Sequence, residues 1–194
     1  NQCASDSLQN PLGAIEWGAN VPALVWHGEW FRLFSSTYLH HGMGDLLFEL
    51  ALFYGIGVLL ERIIGTSRLA FLFFTGSLLG AVVAAVLHID TYVIGAASGI
   101  YTICAAFAAL CKIAPLDIPS DFRQPRSWWH VVLFLLFILP LTVQSGEIAP
   151  YALAVVYIGP IAAALWGYQV MRFWLQKNTV LTWVDKDPMW LRSS

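Results

Sequence analysis

The sequence predicts an all-α protein, a polytopic transmembrane helical bundle of five spans. Two observations carry this. Of 194 residues, 58% are hydrophobic and 11% charged, against roughly a quarter charged in an ordinary soluble domain, and the mean hydropathy is +0.67. The apolar residues also fall in long runs, at about 42–60, 69–87, 93–111, 129–143 and 152–175, each near the roughly 20 residues that a bilayer core requires. Without water to satisfy the backbone, such runs must span as helices, and the period-two alternation of a barrel strand is missing.

The spans follow in order. The first, 42–60, carries Asp45 and Glu49. The second, Leu69 to Leu87, reads LAFLFFTGSLLGAVVAAVL without a charge. The third holds Cys104 and Cys111, which read as small packed hydrophobes; with Cys3 they set no disulfide framework. The fourth is short and broken by Pro140, and the fifth runs through Pro160. Breaks fall at Gly65-Thr66-Ser67, at His88-Ile89-Asp90, in the Pro-rich segment Pro115 to Arg126, and at Gln144-Ser145-Gly146. This gives three regions: an interfacial extracytoplasmic segment 1–41, a transmembrane bundle 42–175, and a cytoplasmic tail 176–194.

Charge sets the orientation, because cytoplasmic loops collect Lys and Arg. Arg62, Arg68, Lys112, Arg123, Arg126, Arg172, Lys177, Lys186 and Arg192 all fall on one side, and only Arg32 on the other. Residue 1 is therefore expected outside and the C-terminus in the cytoplasm. Trp128, Trp129, Trp166, Trp174, Trp183 and Trp190 suit membrane anchoring. A net charge of −2 points away from a nucleic-acid partner. The expected partners are the lipid bilayer and other membrane proteins or transmembrane segments, with no cofactor and no metal.

Residues 16–41, EWGANVPALVWHGEWFRLFSSTYLHH, are too polar to cross but rich in aromatics, and are expected to lie partly embedded at the outer interface. Together with HGMGDLLFELALF and LLERIIG, this stretch resembles the first loop and second helix of the rhomboid superfamily, with Trp30 and Arg32 as a Trp-x-Arg version of its Trp-Arg signature. GAASGIY at 95–101 resembles the G-x-S-G that holds the rhomboid nucleophile at the head of the fourth helix. The resemblance covers about residues 10–170. It implies a rhomboid-like fold, with the family's first helix absent from a chain that opens on Asn1 rather than Met; that helix, like a signal peptide or tag, was cleaved or lies outside this sequence, or was never encoded.

The resemblance implies a membrane-embedded serine protease, in which a serine on the fourth helix is activated by a histidine on the sixth. Ser98 matches the serine. The histidine's place, in VYIGPIAAALWG at 156–167, is taken by Tyr157, and no histidine follows His130. A serine hydroxyl needs a positioned base, and a phenol of ordinary pKa about 10 is mostly a donor at neutral pH. The family's oxyanion-stabilising histidine and asparagine, on the second helix, correspond to Asp45 and Glu49; losing one such donor typically costs about 100- to 1000-fold in rate. Ala96 replaces the first motif glycine, although Gly95 precedes it. Thr102, with Tyr101 adjacent, stands where an aromatic residue is usual. In the sixth helix the expected glycines are Pro160 and Ala164, while Gly159, Ala163 and Gly167 form a shifted small-residue series.

Asp45 and Glu49 share a helix face, and three readings stand: a relic cavity where a protonated Glu49 bonds Ser98 or Tyr157, a proton or cation site, and contact with a partner's basic group. Asp45 also fits a group reaching outer water. His27, His40, His41, His88 and His130 read as interfacial hydrogen-bonding residues, with His40, His41 and His88 the alternatives for a substitute base. The expectation is a catalytically dead rhomboid-like pseudoprotease in a bacterial inner membrane or an organellar membrane. The alternative is an active intramembrane serine endopeptidase with Ser98 and a non-standard base.

Overall fold

The computed structural model describes residues 11–87, 92–113 and 150–177, with side chains from 12 in the first stretch and from 157 in the last. Among them the chain is helical throughout, apart from one isolated antiparallel bridge between Asn20 and Val93. Short helices α1 (Pro11–Glu16), α2 (Pro22–Trp26) and α3 (Arg32–Ser35), with a 3₁₀ turn at Ser36–Tyr38, precede α4 (Met43–Ile64), α5 (Thr66–Val86), α6 (Ala97–Ile113) and α7 (Pro150–Gln176). By length and composition α4 and α5 suffice to cross a membrane, whereas α6 is a shorter apolar helix.

The expected run 129–143, the Pro-rich segment and most of the 176–194 tail lie outside the described residues. The run expected at 93–111 is corrected, because its helix starts at Ala97. Val93 and Ile94 are apolar enough to extend it, but Val93 exchanges both backbone hydrogen bonds with Asn20, at 3.1 and 2.9 Å. Gly95 then turns the chain with φ +110, a conformation that glycine adopts without steric cost.

Helix ends account for the boundaries. At the start of α4, the Asp45 carboxylate accepts the His41 backbone N–H at 3.2 Å, reaching back over the first turn as a capping carboxylate does, where negative charge also suits the helix dipole. The α4–α5 break is one residue, Gly65, at φ +84. The Thr66 hydroxyl donates to the Glu61 carboxylate across it at 2.6 Å.

Small residues set the packing. Gly76, Ser77, Gly80, Ala81, Ala84 and Ala85 are buried on α5, so neighbouring helices approach closely. A Cβ at Gly76 would overlap the Thr102 side chain of α6, and one on α7 at Gly159 would lie 3.1 Å from the Gly80 carbonyl oxygen. At Gly167 it would overlap the Thr102 backbone. Thr102 is fully buried and its hydroxyl donates to the Ala163 carbonyl of α7 at 3.0 Å, alongside the Ser98 carbonyl of its own helix at 2.9 Å. Below this seam, Leu60, Ile64, Leu72, Ile103, Leu110 and Met171 form the core.

The short helices lie over the other end of α5, with Val25 and Leu33 packed on Ala81 and Ala85. Trp26 Nε1 donates to the Ala85 carbonyl, in the last turn of α5, at 2.9 Å. Trp17, Trp26, Trp30, Phe31, Phe34 and Tyr38 are exposed, an aromatic fringe of the kind that settles at a membrane interface.

Gly167→Ala should destabilise the protein by about 1–3 kcal/mol, because a helix backbone must move to admit the methyl group. Gly55→Ala is the control. Nothing lies within 4 Å of its added Cβ, and alanine's better helix propensity makes it neutral or stabilising by up to about 1 kcal/mol. Thermal unfolding of the two variants in mild detergent checks the contrast.

Candidate functional site

Residues 92–96 form a strap between the first loop and α6. Besides the Asn20–Val93 bridge, the Gly95 N–H donates to the Ser36 carbonyl at 2.9 Å. The next amide, Ala96, donates to Glu49 Oε2 of α4 at 2.8 Å. Gly95 is needed for space as well as for φ, since a Cβ there would lie 3.2 Å from Glu49 Oε1. Four orphan N–H groups open any helix; Glu49 covers the amide just before α6 and sets a negative charge at the positive end of its dipole.

Ser98 is the second residue of α6. Its side chain lies against Gly80, where any Cβ would overlap it, and the Gly159 backbone lies near the same point, 3.8 Å from that Cβ position. Tyr157, on α7, is half-buried and close enough to Tyr101 for the phenols to interact electrostatically. No hydrogen bond joins Ser98 to Tyr157 among the described residues.

Glu49 is only 5% exposed, and it does not bond Ser98 or Tyr157 as one reading expected. Its partners are the Ala96 amide and His40, whose Nε2 lies 2.9 Å from Oε2. The other His40 ring nitrogen, Nδ1, is 3.2 Å from the Tyr38 carbonyl. The His40 pKa is raised above its ordinary 6.5, first by the hydrogen bond to Glu49, with the Glu49 and Asp45 charges adding and burial opposing. His40 is the residue sequence reasoning underrated. It lies nine residues before Glu49, a separation with no helical meaning, and the only available signal was a histidine just ahead of a helix carrying a carboxylate too deep to stay unpaired.

Asp45 points back to the His41 amide rather than joining Glu49 in a shared site. The His41 ring sits 6.1 Å from that of Tyr92. His88 and His130 lie outside the described residues. No group of three or more His, Cys, Asp or Glu side chains among those described is arranged to hold a metal ion.

Arg32 and Trp30 separate in role. Arg32 is buried; one guanidinium nitrogen donates to the Ile15 and Ala19 carbonyls at 2.7 and 3.1 Å, and Nε reaches the Glu29 carboxylate at 2.7 Å. It thereby knots α1 to α3, and the Ser35 hydroxyl reinforces this by donating to the Gly18 carbonyl at 2.6 Å. Trp30 is exposed and packs edge-on to Trp26 at 5.8 Å.

A family model described as the Rhomboid domain matches residues 27–177. The chain belongs to the rhomboid family. It is also similar to the Rhomboid protease GluP of Bacillus subtilis (strain 168), with 28% identity over 68 residues; the matched stretch covers 35% of this chain and 13% of that protein's length. No solved structure matches it. Family membership and the two long apolar helices make this rhomboid an integral membrane protein.

Arg32→Gln should cost about 2–4 kcal/mol, because it strands buried carbonyls and unpairs Glu29. Arg32→Lys should recover only part of that, since an ammonium lacks the guanidinium's fork. Trp30→Ala, at an exposed position, should stay within about 0.5 kcal/mol of the parent. Equilibrium unfolding in detergent ranks the three.

Proposed function

We propose that this rhomboid is a pseudoprotease, a non-catalytic integral membrane protein that binds transmembrane segments or serves as a subunit of a larger membrane complex. The observation that carries this is the Glu49 carboxylate on the Ala96 amide, two residues before Ser98. Attack by a serine on a peptide carbonyl builds negative charge that must be met by aimed donors. Here an amide at the head of the serine helix is taken by a carboxylate, which would oppose a second negative charge nearby.

The base is the other half of the argument. Tyr157 stands where the family carries histidine, and it makes no hydrogen bond to Ser98. His40 is the nearest substitute in the chemistry it offers, but both its ring nitrogens are engaged, by Glu49 and by the Tyr38 carbonyl. On this reading Ser98, Tyr157, Asp45 and Glu49 are degenerate positions of an active site. The wider architecture belongs to the same proposal: five spans, an interfacial segment 1–41 outside, a bundle 42–175, and a cytoplasmic tail 176–194.

The second reading is an active intramembrane serine protease, favoured by the placement of Ser98 at the head of α6 and by the similarity to a protein named a protease. A fluorophosphonate probe separates the two. The pseudoprotease should give equal, background labelling for the parent and for Ser98→Ala, a variant that should fold because it only removes an oxygen. Labelling confined to the parent would instead establish a reactive serine.

A further inference from the structure

With Glu49 ionised, both ring nitrogens of His40 face groups that can only accept. Nδ1 is 3.2 Å from the Tyr38 carbonyl oxygen, and Nε2 is 2.9 Å from Glu49 Oε2. A neutral imidazole has one N–H and one lone pair, so either tautomer would set a lone pair against an acceptor; only the imidazolium donates to both. The side chains of the pair are 13% and 6% exposed for His40 and Glu49, so water is largely kept from the Nε2 contact, whereas the Nδ1 contact with the Tyr38 carbonyl is exposed. Glu49 has the reciprocal need. It is a buried carboxylate, and its Oε2 collects the imidazolium together with the Ala96 amide.

This places one histidine at the junction of three elements. Its backbone follows the 3₁₀ turn that closes the first loop, its ring is held on α4, and the carboxylate it holds there receives the strap that leads into α6. The same strap is tied to the loop at Ser36 and Asn20.

We propose that His40 is a protonation-operated clasp, which as the imidazolium locks the end of the interfacial loop and the head of α6 onto Glu49, and which loosens as the surrounding pH rises. The clasp acts whether or not Ser98 is reactive.

The charged and titratable groups around His40 support the direction. From α4 come the Glu49 and Asp45 carboxylates, from the loop His41, and from the strap Tyr92, whose ring lies beside that of His41, and the Ala96 N–H. The two carboxylates favour the cation. Because the folded pKa lies above the ordinary 6.5, the stabilisation is complete below the unfolded value and is lost as pH climbs through the raised folded value. Loss of the proton removes the positive charge that faces Glu49 and leaves one His40 ring nitrogen without an N–H, and the loop and the strap should loosen together.

Hydrogen exchange of the full chain in detergent micelles tests this between about pH 6 and about pH 9, the span over which a raised histidine titrates. Rates are corrected for intrinsic exchange, with residues 103–110 of α6 as the internal reference. Protection of 36–42 and 92–98 is expected to fall together as pH rises in the parent and to stay flat in His40→Gln, whose amide still donates to Glu49 but does not titrate. Constant protection in the parent, or the same fall in the Gln variant, would overturn the clasp. Should His40→Gln fail to fold, ¹⁵N spectra of the parent's histidines decide instead. A His40 ring doubly protonated at pH about 7 supports the clasp, and a neutral ring at that pH sinks it.

Discussion

The contact between Glu49 and the Ala96 amide ties the upper half of this molecule together. A helix that begins inside a membrane protein exposes amide groups that neither lipid nor tightly packed neighbours can satisfy. Here the acceptor comes from a different helix, forty-seven residues earlier. That choice has consequences in both directions along the chain. The carboxylate is itself buried and meets a second partner, His40 of the loop, whose Nε2 lies 2.9 Å from the same oxygen. The amide must be presented at a fixed angle, which Gly95 provides through a positive φ that side-chain-bearing residues rarely adopt and at a point where a Cβ would crowd Glu49 Oε1 at 3.2 Å. The loop, α4 and α6 are thus held by one set of shared hydrogen bonds, with Glu49 as the acceptor common to His40 and the Ala96 amide.

The lower half is held by a different constraint. Between α5, α6 and α7 the packing is close enough that a Cβ at Gly76 or Gly80 would overlap the Thr102 or Ser98 side chain, one at Gly167 the Thr102 backbone, and one at Gly159 would lie 3.1 Å from the Gly80 carbonyl oxygen. In a lipid environment apolar burial drives helix association weakly, so dispersion contacts across small residues and hydrogen bonds between helices take its place. Thr102 supplies the hydrogen bond, donating to the Ala163 carbonyl at the point of closest approach. The two halves meet at Ser98, one turn before Thr102 and two residues after the amide that Glu49 holds.

Much of this was legible in the sequence because membrane helices announce themselves by length. The charge-free run from Leu69 to Leu87 permits little but a span, and α5 falls on it within a few residues at either end. The Gly159, Ala163, Gly167 spacing showed which face of α7 would pack. The third run failed at its start, because hydropathy does not distinguish a Val that packs in a helix from a Val93 that pairs with Asn20 across the cap. Partnerships of the polar groups were less legible still. Arg32 could be marked as unusual, but its acceptors are backbone carbonyls of Ile15 and Ala19, which any residues would offer. Asp45 and Glu49 share a helix face, and so read as a pair, yet one caps its own helix and the other caps a neighbour. Only tertiary structure separates those two roles.

The surviving serine weighs less in favour of catalysis than its motif suggests. Ser98 sits where its side chain touches the backbone of Gly80, with the backbone of Gly159 close behind, and a residue much larger than serine would push α5 and α7 apart. Packing alone therefore restricts position 98 to small residues and would retain a serine after any chemistry had ended. Position 157 is under no such restriction, because a half-buried phenol is accommodated there. Position 49 is restricted differently, since whatever stands there must accept the Ala96 amide. A protease also needs a base aimed at its nucleophile and donors left free for the oxyanion. On the proposed correspondence with the family, the residue that matches is one that packing would preserve, and Tyr157, Asp45 and Glu49 stand where catalysis would need its base and its donors.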